Sequence, residues 1–70
     1  MAQTFKQGDR VSWNTSQGRT QGTVVTRLTN DTTVEGHQVR ASHDDPQYLV
    51  ESEKTGAQAA HKPDALRRLA

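Results

Sequence analysis

The chain has no cysteine, two prolines, and one each of phenylalanine, tryptophan and tyrosine among seventy residues. Without cysteine, neither a disulfide nor a thiolate zinc site can brace so short a chain. No apolar run approaches the roughly eighteen residues of a membrane-spanning helix. The opening MAQTFKQGD lacks the apolar stretch of a secretory leader. A soluble, cytoplasmic protein with no membrane association is expected. Charge of one sign is also lacking: the net charge is +1 with both signs interspersed. That excludes the basic stripe of a dedicated duplex-DNA binder and the acidic tail of a charge-driven partner.

What remains to fold around is scant. About 30% of residues are apolar, and alanine supplies a third of them. The large apolar side chains are Phe5, Trp13, Tyr48, four leucines, six valines and Met1. Each contributes roughly 1.5–3 kcal/mol if fully buried, against backbone ordering costs of about 1–2 kcal/mol per residue. A chain of this length makes one domain, residues 1–70, with an ordered core expected over 5–69. It should use nearly every large apolar residue it has.

The pattern of those residues is that of strands. Val11 and Trp13 alternate with polar neighbours after the turn signal Gly8-Asp9, the period of a half-buried strand. A polar turn ending at Gly18 leads to a β-branched run over 20–28, with Gly22 marking a bulge or tight bend. A third strand is expected over 33–41, broken or bulged at Gly36, and a loop over 42–46. The run Gln47-Tyr48-Leu49-Val50-Glu51-Ser52 reads as a central strand. Residues 57–61 read as a short final strand, or as a short helical stretch because alanine favours strands weakly. Pro63 suits the first position of a terminal helical turn, on which Leu66 and Leu69 would share a face. The expected class is all-β: a small SH3-like barrel of four to five short antiparallel strands with a short C-terminal helical turn. Closing such a sheet hides its apolar face and removes its edges.

Catalytic patterns are missing. His37, His43 and His61 lie in separate segments, with neither an H-E-x-x-H spacing nor a cysteine ligand set. His43 beside Asp44 and Asp45 has the residue types of a metal or proton-relay site, and His61 is a further candidate. A solvated loop before Pro46 is the simpler reading of the first three. No serine sits in G-x-S-x-G, and Gly18-Arg19-Thr20-Gln21-Gly22 lacks the Lys and Ser/Thr of a phosphate loop. The chain is therefore expected not to be an enzyme, and to use no cofactor and no metal.

Binding is the remaining class. Trp13 and Tyr48 are the aromatic residues able to stack on a ligand or hold a cation, although a core this poor also needs them. The polar segment 14–19 adds Asn14 and Arg19 as ligand-binding candidates. Arg10, Arg27 and Arg40 fall on predicted strands and form a possible nucleic-acid-binding row. Asp9, Asp31, Glu35, Glu51 and Glu53 are equally available to neutralise it.

Several stretches carry a resemblance over nearly the whole length: Gly8-Asp9-Arg10-Val11-Ser12-Trp13, then Gly18 with Gly22-Thr23-Val24, then Val34-Glu35-Gly36-His37 and Val39-Arg40-Ala41-Ser42. They continue in Pro46-Gln47-Tyr48-Leu49-Val50, Ser52-Glu53-Lys54-Thr55-Gly56 and Ala60-His61-Lys62-Pro63. In these the chain resembles the hypervirulence-associated protein Tudor-domain family, and its opening G-D-x-V-x-W is also similar to Tudor and KOW-type modules. The tail pattern K-T-G-x-x-A-x-H-K-P is the most specific part. The resemblance implies a Tudor-like barrel and no catalytic residue. From Tudor domains generally it implies binding of methylated lysine or arginine by an aromatic cage, for which Trp13 and Tyr48 are the only residues to consider, short of the usual aromatic set. The expected function is a small interaction module binding a protein segment or charged ligand through a loop-side groove. The alternative is weak binding of RNA or single-stranded DNA through the strand arginines.

Overall fold

The computed structural model describes residues 4–69; Met1, counted above among the large apolar residues, lies outside them. Seven strands are present: β1 (Arg10–Thr15), β2 (Gly18–Leu28), β3 (Thr32–Val34), β4 (His37–Val39), β5 (Gln47–Ser52), β6 (Gln58–His61) and β7 (Arg67–Arg68). Five of them form an antiparallel sheet in the order β6-β5-β2-β1-β7, while β3 and β4 pair as a separate ribbon. The all-β expectation holds, and residues 57–61 resolve as strand rather than helix.

Alternation along the strands sorts the side chains. Val11 and Trp13 on β1, Val24 on β2, and Tyr48 and Val50 on β5 are buried, joined by Phe5 from the entry segment and Leu66 from the exit. Two strands, β2 and β5, separate β1 from β6. In a flat sheet, side chains on β1 and β6 would stand roughly 14 Å apart at the usual strand spacing of about 4.8 Å. Instead the Trp13 and His61 rings lie 5.7 Å apart, centroid to centroid. The sheet therefore coils on itself, and its concave face is the core. The hydrogen-bonded ladders run from β6 to β7 and stop there.

Glycine at position 22 makes the coil possible. A Cβ there would sit 1.9 Å from the Glu51 carbonyl oxygen and 2.8 Å from Cη2 of Trp13. Missing that atom, β2 lets the indole lie across its backbone toward β6. The bulge itself falls three residues later, at Val25, where the β2–β5 register shifts between Val24 and Thr26. That shift reverses which side chains face the core from there on.

The ribbon replaces the expected third strand. Val34 pairs with His37, and the intervening Glu35 and Gly36 have φ values of 48° and 82°. Positive φ at both central positions is what a type I′ hairpin turn requires. The break at Gly36 is thus a full reversal of direction. At the C-terminus, Pro63–Ala65 is a single 3₁₀ turn with proline in its first turn. Leu66 leaves it in an extended conformation and is buried, while Leu69 is half-exposed. Leu66 and Leu69 therefore share no helical face, because the chain returns to the sheet as β7, beside β1. Of the four leucines only Leu66 is buried. Aromatic and valine side chains do most of the filling. Tyr48 meets Phe5 edge-on at 5.2 Å, and its hydroxyl accepts a hydrogen bond from the Phe5 backbone N–H at 3.2 Å. No described helix is long and apolar enough to cross a membrane.

Candidate functional site

Two turns meet at one end of the sheet. The first joins β1 to β2 through residues 16–17, and the Thr15 hydroxyl locks it by donating to the Gly18 carbonyl at 2.8 Å and accepting from the Gln17 N–H at 3.1 Å. The second, residues 53–57, joins β5 to β6. Ser52 organises it: its carbonyl accepts from the Gly56 N–H, its own N–H donates to the Ala57 carbonyl, both at 2.8 Å, and its hydroxyl accepts from the Lys54 N–H. The Glu53 N–H donates to the Gln21 carbonyl at 3.1 Å, tying the second turn to β2.

Between the turns lies a concavity of about 560 Å³, whose lining includes Trp13, Thr15, Gln17, Arg19, Lys54 and Gln58. Both walls are pinned by their own hydrogen bonds, so the groove is held open without a ligand to order it. Preorganisation of this kind lowers the entropic cost of binding.

The residues singled out from the sequence fall in different places. Trp13 is only 4% exposed. It belongs to the core, and it is also among the residues that line the groove. Arg19 lines the groove and is steadied by neutral groups, its Nε donating to Ser12 Oγ at 3.3 Å and its Nη1 to Asn14 Oδ1 at 3.4 Å. Asn14 alternates with Trp13 and stands opposite Arg19 in the β1–β2 register, so both side chains project from the outer face of the hairpin and the Arg19 guanidinium lies at the groove's outer rim. Tyr48 is 1% exposed. It borders a separate depression with Arg27, His43 and Lys62.

The three arginines of the expected row are not brought together. Arg10 stands opposite Thr23 on the outer face and pairs with Glu53 at 2.8 Å. Arg27 stands opposite Tyr48 and shares its face, because the Val25 bulge has reversed the alternation. Arg40 follows β4, outside any strand, where its carbonyl accepts from Gln47 Nε2. Nor is a metal cluster assembled. The Asp45 carboxylate pairs with Lys62 at 3.0 Å, His61 packs on Trp13, and no three histidine or carboxylate side chains gather among the described residues.

The sequence reading missed the second wall. Glu53 reads as a charge available to neutralise the arginine row, and Gln58 as part of the short final strand. The available signal was the pair of hydroxyl residues, Thr15 and Ser52, each ending a strand just before a polar turn.

The fold perturbs the ionisation of His61. Burial beside the indole lowers its pKa from the ordinary 6.5. The folded state thus binds this proton more weakly than the unfolded chain. The neutral imidazole's contribution is fully present above pH 6.5 and is lost as pH falls through the folded value. Urea midpoints measured from pH 7.5 to 5.5 should therefore drop with acid. In His61→Gln the drop over that interval should be smaller.

The family described as hypervirulence associated proteins TUDOR domain matches residues 8–66. No curated protein and no solved structure matches the chain. The matched segment begins at the Gly8 turn, includes both walls of the groove and ends on the buried Leu66. With so much of its length covered, the chain belongs to the hypervirulence-associated Tudor-domain family.

Proposed function

We propose that this chain is a non-enzymatic interaction module that binds a protein segment or charged ligand through the groove between the β1–β2 and β5–β6 turns. The observation that carries this reading is the groove itself: two walls fixed by internal hydrogen bonds, rimmed by side-chain amides, hydroxyls and charges, above a floor of core. Family membership supports the coarser reading of a small interaction module. The imidazole of His61 faces an indole rather than a hydroxyl or thiol it would activate, which favours binding over catalysis. The nucleic-acid alternative draws less support, since Arg10 and Arg27 point to opposite faces of the sheet.

A selection of random peptides against the chain, followed by amide-resolved NMR titration of those enriched, tests the proposal. Shifts should concentrate on residues 15–21 and 52–58. Enriched peptides that instead move the β3–β4 ribbon, or a selection that enriches none, would overturn it.

A further inference from the structure

Charge decides what kind of segment the groove admits. Its charged lining residues are Arg19, Glu53 and Lys54. The carboxylate of Glu53 is engaged by Arg10 at 2.8 Å from outside the groove. Arg19 rests on Ser12 and Asn14, both neutral. Among the described residues no carboxylate lies within ion-pairing distance of Arg19 or Lys54, as holds also for Lys6, Arg27, Arg40 and Arg67, whereas Arg10, Lys62 and Arg68 each have one. The rim of the groove thus carries two cations without a carboxylate partner, Lys54 and, from the outer face, Arg19, while Glu53 is held by Arg10 and the Glu35 carboxylate accepts from the Gln58 N–H.

Its apolar floor points the same way. A site for a methylated cation needs open aromatic faces around the charge, and the groove has a single indole, only 4% exposed. Tyr48 is buried elsewhere. Single-stranded nucleic acid also draws on exposed rings as stacking platforms. What the walls do offer is the side-chain amides of Gln17, Gln21 and Gln58. These groups both donate and accept, as the N–H and C=O groups of an extended backbone require.

We infer that the groove takes an acidic, extended protein segment, with Lys54 and Arg19 at its rim receiving its carboxylates and the glutamine side chains its backbone. This rests on the groove reading above and gives it a sign. The probes are a hexaglutamate peptide, an uncharged peptide of equal length, a trimethyl-lysine peptide and a short thymidine oligonucleotide, each titrated into labelled protein at low and physiological salt. Hexaglutamate should shift the amides of residues 15–21 and 52–58, with affinity falling as salt screens the exposed charges. Reversal of the exposed Lys54 in Lys54→Glu should weaken it about fivefold, with the fold intact by circular dichroism. Arg19→Gln should weaken it in the same direction.

Shifts of those amides by the trimethyl-lysine or uncharged peptide, with none from hexaglutamate, would overturn the acidic assignment while leaving the groove as a binding site. Tighter binding of the oligonucleotide at the same amides would overturn the protein segment as partner. Silence of these amides toward all four probes would overturn both the inference and the groove reading.

Discussion

Gly22→Ala should abolish cooperative folding at room temperature. The added methyl carbon would lie 1.9 Å from a backbone oxygen, that of Glu51, and 2.8 Å from the indole of Trp13. Overpacking ordinarily costs about 1–3 kcal/mol because side chains can turn aside. Here the obstruction is the neighbouring strand, so β2 and β5 would have to separate at the centre of the sheet. A seventy-residue domain has roughly 3–10 kcal/mol of total stability to lose. The comparison variant is Gly56→Ala, where a Cβ meets nothing within 4 Å and only a φ of 76° opposes the change. That one should cost about 1–2 kcal/mol and still unfold in a single urea transition.

The second large effect is expected at Trp13. Truncation of a buried tryptophan to alanine costs about 3–5 kcal/mol, comparable to the whole stability of a chain this small. The indole also bridges the coil: it spans Gly22 and meets His61 on β6, two strands beyond its neighbour. Trp13→Ala should therefore give a chain with strongly reduced near- and far-ultraviolet circular dichroism and no sharp urea transition. A cage tryptophan would behave differently, since its removal would leave the fold in place.

Much of this architecture is legible in the residues. Alternation around Trp13, the β-branched run after Gly22 and the apolar segment at Tyr48 mark β1, β2 and β5, and these three make the centre of the sheet. Pro63 marks the short helical turn for the reason that proline suits a helix start. Two features were hidden by geometry. Glu35-Gly36 closes a type I′ turn although glutamate is not among the residues that usually take positive φ, so the ribbon read as one interrupted strand. The bulge at Val25 involves a β-branched residue with no glycine to announce it, and the fate of Arg27 depends on it. One extra residue turned the expected arginine row into two side chains on opposite faces.

The site was half visible. Segment 14–19 is polar, and Arg19 within it does line the groove. Its opposite wall lies more than thirty residues away in the chain. Only the pairing of β2 with β5, fixed by Gly22 opposite Ser52, brings Lys54 across from Arg19. Burial of Trp13 was the choice a scarce core favoured, and the structure adds that the same residue also lines the groove.

Trp13→Phe separates these roles, because phenylalanine keeps an aromatic ring in the core but cannot reach as far across Gly22. Calorimetric titration of this variant with hexaglutamate, beside its urea midpoint, is the most direct test. The account predicts a clearly lowered midpoint with an affinity close to that of the unaltered chain, since the rim cations are untouched. An unchanged midpoint with lost binding would show that the tryptophan is the ligand-binding residue, and would contradict it.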